Sequence, residues 1–269
     1  MNTFFIRTLS GFIYAVLIIG SILTGPYGLS ILLFLFLILS LNEFRFLVIG
    51  FGTTFAKVTL FAINILFYIG WMSKTFNLLG KEYLLVAFTL SLLLLLVNLF
   101  VHKEYPGRFY GNLLFSLVYL TIPLIITNQL FYTADNTNTI QILLGMFIII
   151  WLNDTFAYIT GALIGKHKLS PNISPKKTWE GAIGGFVFSL AGAFVLSLFF
   201  TEYNTRLWLG LAGVVVIFGT FGDLLESYLK RKAAIKESGS IMPGHGGILD
   251  RLDSLLLAAP FVYIYILLV

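Results

Sequence analysis

Long apolar stretches separated by short polar ones dominate the chain. Read for runs long enough to cross roughly 30 Å of hydrocarbon as a helix, the sequence predicts spans near residues 10–25, 27–49, 55–73, 83–101, 112–132, 139–161, 181–201, 206–229 and 252–269. That makes about nine spans. The short Gly25-Pro26 turn and the frayed start of the sixth run are the places where the count can change by one. The first run is read as a span rather than a signal peptide, because no small-residue cleavage site leading into a soluble domain accompanies it. Two polar connections exceed the others, 162–180 and 230–251. The expected organisation is a set of about five N-terminal spans (1–135) followed by a C-terminal region of about four (136–269) that carries both long loops.

Composition agrees with the pattern. Hydrophobic residues make up 58% of the chain and charged residues 11%, with a mean hydropathy of +0.95, whereas a soluble domain is about a quarter charged. The fold class is therefore an all-α polytopic membrane protein. No cysteine is present, which removes disulfides, thiolate metal sites and thiol nucleophiles.

Charge sets the orientation. With loops assigned alternately to two faces, one face receives Arg7, Arg45, Lys57, Lys103, Arg108, Lys166, Lys168, Lys176, Lys177, Lys230, Arg231, Lys232, Lys236 and Arg251, and the other only Lys74, Lys81 and Arg206. The positive-inside rule places the basic face and the N-terminus in the cytoplasm and the C-terminus outside, in a multi-pass protein of the inner (cytoplasmic) membrane. Both long loops then fall on the cytoplasmic side and can build one site. Isolated basic residues are explained by topology and by anionic lipid head groups. No soluble domain is present to carry a groove reader, so no nucleic acid is expected as a partner.

The chemistry-bearing residues concentrate in two segments. In "FGDLLESYLKRKAAIKESGS", Asp223, Glu226, Ser227 and Lys230 are spaced to share one helix face. In "SIMPGHGGILDRLDS", Asp250 and Asp253 lie three apart at the start of the last span. Charges at such depth are costly unless paired or metal-bound. Carboxylates with substrate phosphates suit magnesium; buried salt bridges to Lys230, Arg231 and Arg251 are the alternative. Gly244, Gly246 and Gly247 before a helix N-terminus let backbone amides approach an anion. His245 is either a phosphate donor and proton carrier or a turn residue.

The second segment is "WLNDTFAYITGALIGKHKLSPNISPKKTWEGAIGG". Asp154, Ala157, Tyr158, Gly161 and Gly165 give a helix face with one carboxylate and small residues for close packing. Lys166, Lys168, Lys176 and Lys177 follow, then Thr178 as an N-cap and Glu180 in the first turn of the next span. Lysines beside a helix N-terminus oppose its dipole, which an anionic ligand such as a triphosphate offsets.

Together these residues resemble the phosphatidate cytidylyltransferase (CDP-diacylglycerol synthase) family. The family pattern is read at Ser227, Lys230, Arg231, Lys236, His245, Gly246, Gly247, Asp250, Arg251 and Asp253, with a second segment, "SPKKTWEG", behind "ND..AY..G". One departure is Lys236-Glu237, where the family commonly has Lys-Asp. The resemblance covers 151–254 in detail and the rest as hydropathy. It implies condensation of CTP with phosphatidate in the bilayer, giving CDP-diacylglycerol and pyrophosphate. It also implies one or two magnesium ions on Asp223 and Asp250, with Glu226 and Asp253 orienting those ligands. A second, monovalent ion and a homodimer are left open. Catalytic roles would fall to Asp223, Asp250, Lys230, Arg231, His245 and Arg251. Substrate contacts would fall to Asp154, Ser174, Lys176, Lys177, Thr178, Ser227, Lys236, Gly246 and Gly247. Rival readings are a CTP-dependent lipid kinase, a cytidylyltransferase for another lipid phosphate, and a cation-coupled transporter using intramembrane carboxylates.

Overall fold

The computed structural model describes residues 3–48, 54–77, 86, 89–94, 106–133, 139–244 and 246–269. Its helices are α1 (Thr3–Leu23), α2 (Pro26–Leu47), α3 (Thr54–Thr75), α4 (Pro106–Ser116), α5 (Ile122–Gln129), α6 (Thr139–Ile164), α7 (Trp179–Phe199), α8 (Thr205–Lys232) and α9 (Leu249–Leu268). A π-helical turn, Leu117–Thr121, joins α4 and α5 into one rod, at the place where Pro123 withholds a backbone N–H from the regular ladder. Among the described residues, eight helical segments, this rod included, are long and apolar enough to cross a membrane. The chain is a multi-pass membrane protein built of helices. The predicted span at 83–101 lies largely outside the described residues.

Local chemistry explains the boundaries. Gly25 at φ +90° turns the chain between α1 and α2, and Pro26 opens α2, where no N–H is needed. Asn204 caps α8 by accepting from the Leu207 amide at 2.8 Å. Buried Asn64 on α3 donates to Ser116 Oγ at 2.9 Å and accepts from Thr121 Oγ1 at 2.6 Å. This ties α3 to the α4–α5 rod with the polar contacts that substitute for hydrophobic drive inside a membrane.

The site-bearing helices pack closely. α6 crosses α7, and α9 lies along α8 while also touching α5 and α2. At the α6–α7 crossing a Cβ on Gly181 would stand 2.7 Å from the Ala157 carbonyl, and one on Gly185 2.6 Å from Asn153 Oδ1. The small residues read as a packing face therefore do pack. On the far side of α6, Gly145 leaves room for the ring of fully buried Trp208 of α8.

Among the described residues, one feature departs from an all-helical chain. The polar loop 162–180 folds into a two-stranded antiparallel hairpin, β1 (Lys168–Ser170) and β2 (Ser174–Thr178), with Lys168 opposite Thr178. The turn residues Pro171 and Asn172 and the absence of an apolar stripe favour a hairpin over a helix here. It lies over the ends of α6, α7 and α8.

Candidate active site

Thr178 ends the hairpin and begins α7, and its side chain accepts the Gly181 amide at 3.1 Å, as expected of an N-cap. Glu180 in the first turn accepts from the Lys166 amide at 3.1 Å and the His167 amide at 3.2 Å, closing the hairpin onto the helix. Lys176 and Lys177 are thereby held at the mouth of a cavity of about 400 Å³. Its walls come from α6 (Asn153, Asp154, Ala157, Tyr158, Gly161), β2, α7 (Gly181) and α8 (Thr220, Asp223), with Ser254 of α9 completing the lining. The two polar segments picked from the sequence thus meet in one place.

Lys177 forms an ion pair with Asp223, which also accepts from Ser227 Oγ at 3.3 Å. The two charged side chains are 26% and 30% exposed, so solvent screens the pair and it contributes only about 0–1 kcal/mol. On the cavity wall, Asn153 Oδ1 has no hydrogen-bond partner among the described residues.

A smaller cavity of about 220 Å³ lies between α1, α6 and α9, lined by Tyr14, Trp151, Asp154, Asp250, Arg251 and Asp253 among others. Asp154 borders both cavities. The Tyr14 hydroxyl donates to the Arg251 carbonyl at 3.0 Å and fixes α1 against the start of α9.

Behind the cavities the remaining carboxylates are bound into the protein. Lys230 Nζ donates to Glu226 Oε2 at 2.5 Å and to Asp250 Oδ1 at 2.7 Å. Glu226 is fully buried and its Oε1 has no partner among the described residues. Asp250 Oδ2 accepts the amides of Ser238 at 3.0 Å and Gly247 at 2.8 Å. Of the four carboxylates expected to hold or orient a metal, Asp223, Asp250 and Asp253 thus reach a cavity wall, and Glu226 faces Lys230 instead. No group of three or more acidic or histidine residues is arranged to hold a metal among the described residues.

The glycine loop has a partner that the sequence reading did not name. The amides of Ile248 and Leu249, at the N-terminus of α9, donate to Glu43 of α2 at 2.9 and 2.8 Å, and Ser238 Oγ donates to it at 3.0 Å. The anion at this helix N-terminus is a side chain of the protein itself. A Cβ on Gly239 would stand 2.5 Å from Glu43 Oε1, and one on Gly247 would meet both Glu43 and Ser238. Gly246, at φ +84°, turns the loop beside Asp250. The signal of Glu43 in the sequence was an acidic residue inside an apolar run, which is by default a candidate for a role.

Arg231, Ser174 and Lys236 line neither cavity. Arg231 Nε donates to the Ile173 carbonyl at 3.2 Å, tying the hairpin turn to the end of α8. Ser174 pairs with Ser170 within the hairpin. Lys236 is exposed beyond α8, and His245 lies outside the described residues.

Residues 5–269 match the model of the cytidylyltransferase family. The phosphatidate cytidylyltransferases of Staphylococcus haemolyticus (strain JCSC1435) and Staphylococcus aureus (strain COL) are 46% and 44% identical to this chain over 140 residues, covering 51% of this chain and 54% of each relative. That of Staphylococcus saprophyticus is 48% identical over 127 residues, 46% of this chain and 48% of the relative. The chain spans about half the length of the curated relatives it matches.

Proposed function

Because this chain belongs to the cytidylyltransferase family, we propose that it transfers the cytidylyl group of CTP to phosphatidate, releasing pyrophosphate and leaving CDP-diacylglycerol in the bilayer. The observation that carries this reading is the convergence of the hairpin lysines with Asp223 of α8 on one cavity, which shares Asp154 with the neighbouring cavity lined by the α9 carboxylates. Relatives named phosphatidate cytidylyltransferase supply the substrate pair.

In this reading CTP enters the larger cavity, with Lys176 and Lys177 on its triphosphate. The exposed Lys177–Asp223 pair exchanges partners at little cost, the lysine turning to phosphate as the carboxylate turns to a cation. The lipid phosphate takes the smaller cavity near Arg251, and its acyl chains pass between α1 and α6 into the bilayer. A lipid phosphate oxygen then attacks the α-phosphorus in line, the new P–O bond forming as the bond to the β-phosphate oxygen breaks and pyrophosphate leaves. The attacking phosphate is already ionised at neutral pH, so no side chain has to act as nucleophile. Both reactants are polyanions, and the first task of Lys176, Lys177 and Arg251 is to cancel their repulsion.

The oxygen donors on the two cavity walls suit magnesium, which keeps several waters and shares ligation with substrate phosphates instead of requiring an all-protein cage. Asp223 and Asp250 would hold it, with Asp253 and Asp154 beside them. When bound it would offset charge on the reacting phosphates. Glu226 is assigned to Lys230, keeping that cation against Asp250. The basic loops, and the N-terminus with them, are assigned to the cytoplasmic face of the inner membrane, where CTP is found.

The test supplies the purified protein with phosphatidate, magnesium and CTP labelled at the α- or γ-phosphorus. α-Label in the lipid fraction and γ-label in released pyrophosphate are expected. γ-Label in the lipid would instead mark a lipid kinase, and turnover with another lipid phosphate but not phosphatidate would replace the substrate.

A further inference from the structure

We propose that Glu43 is a positioning residue that holds the start of α9, and with it Asp250, Arg251 and Asp253, in register with the cavities. The proposal rests on the functional reading above only for its kinetic arm.

Glu43 lies about one turn inside the C-terminal end of α2 and is 1% exposed. No cation is paired with it among the described residues. Its compensation consists of three donors from one distant segment, Ser238 Oγ and the amides of Ile248 and Leu249. A carboxylate at a helix N-terminus interacts favourably with the partial positive charge there, and burial strengthens its hydrogen bonds. The seat is shaped for this side chain: Gly239 and Gly247 bring their backbones so close to the carboxylate that neither has room for a Cβ.

What Glu43 holds is the part of the chain that carries chemistry. Ile248 and Leu249 directly precede Asp250, and Ser238 gives its amide to Asp250 Oδ2 while giving its hydroxyl to Glu43. The path therefore runs from Glu43 through Ser238 and the first turn of α9 to Asp250, and from there to Lys230 and Glu226 on α8. An α2 residue in the N-terminal half thus fixes a loop in the C-terminal half. The apolar N-terminal helices contribute to the site and are more than a membrane anchor.

The chain has no cysteine, so single introduced thiols report without background. Ile248→Cys places one at a buried position of the segment held by Glu43 while keeping the amide that donates to it, and Ala193→Cys places one at a buried position of α7 as a control. In purified protein, Glu43→Gln should raise maleimide labelling of Ile248→Cys by about tenfold or more, the size expected from losing a charge-assisted hydrogen bond. Labelling of Ala193→Cys should stay within about twofold, since local opening need not spread to other elements. The kinetic arm expects kcat to fall by about tenfold while KM for CTP moves less than about threefold, because the hairpin lysines are not touched. Gly239→Ala should damage the parent but cost less in Glu43→Asp, whose shorter side chain withdraws from the added methyl; contacting residues couple in this way.

Unchanged labelling of Ile248→Cys in Glu43→Gln overturns the proposal, and so does an equal rise at Ala193→Cys, which marks general loosening. Additive effects of Gly239→Ala and Glu43→Asp would also overturn it. If the parent makes no CDP-lipid, the functional reading fails while the labelling and coupling arms still decide the role of Glu43.

Discussion

Replacing Lys230 by methionine separates the two ion-pair systems of the site. The Lys230 side chain is 12% exposed and its partners Glu226 and Asp250 are 0% and 9% exposed. Removing the ammonium leaves Glu226 buried with both oxygens unpaired among the described residues, since Oε1 has no partner there even in the parent. Asp250 keeps the amides of Ser238 and Gly247. Stranding a buried charge in this way costs about 3–5 kcal/mol. At roughly 2–4 °C per kcal/mol for a chain of this size, the melting temperature should fall by about 6–20 °C. Lys177→Ala breaks the screened pair with Asp223 and should lower it by no more than about 4 °C, yet it should cripple CTP use. The assay is a tryptophan-fluorescence melt in fixed detergent and lipid, run beside the α-labelled CTP assay. A further arm, Lys230→Met with Glu226→Leu, should recover at least half of the lost stability, because apolar pairs of similar volume replace buried ion pairs without penalty. A Lys230→Met protein melting within about 2 °C of the parent would refute the argument.

Three further outcomes are expected. Asp223→Asn should abolish transfer while the melt shifts by less than about 4 °C, and an active Asp250→Asn enzyme with unchanged magnesium dependence would remove both from the metal assignment. Gly185→Val, whose Cβ would press on Asn153, should cost about 1–3 kcal/mol in a thermal melt, whereas Gly213→Ala, with nothing within 4 Å of the added methyl, should stabilise α8 by up to about 1 kcal/mol. Cysteines introduced at positions 168 and 236 should resist a membrane-impermeant maleimide added to intact cells, and labelling from outside would invert the topology.

How much of this was legible in the sequence differs between elements for physical reasons. Spans are set by the thickness of the hydrocarbon, a length scale written directly into apolar runs, so eight helical segments stand where runs were read. The Thr178 cap is a local interaction across three residues and was equally legible. The 168–178 hairpin was not, because its short strands have no apolar alternation to announce them. The i, i+3 spacing placed Asp223 and Glu226 on one face, but on α8 those three residues lead from a cavity wall to the buried contact with Lys230. Helical spacing gives an angle about the axis; what stands at that angle comes from neighbouring helices.

Glu43 marks the sharper limit. A carboxylate in an apolar run announces that something must satisfy it, yet its partners lie about two hundred positions away and two of the three are backbone amides, which carry no residue identity. The glycines at 239 and 247 hold the other half of that information: they are small because Glu43 occupies the space their side chains would need. Gly247, read from the sequence with Gly244 and Gly246 as letting amides approach an anion, pointed to a ligand, whereas the geometry assigns the Ile248 and Leu249 amides to a protein carboxylate. A helix N-terminus already neutralised in this way has little attraction left for a triphosphate. In the proposed reaction, recognition of CTP therefore leans on the hairpin lysines, and the proposed part of the glycine loop is to keep the carboxylates of α9 at their cavity.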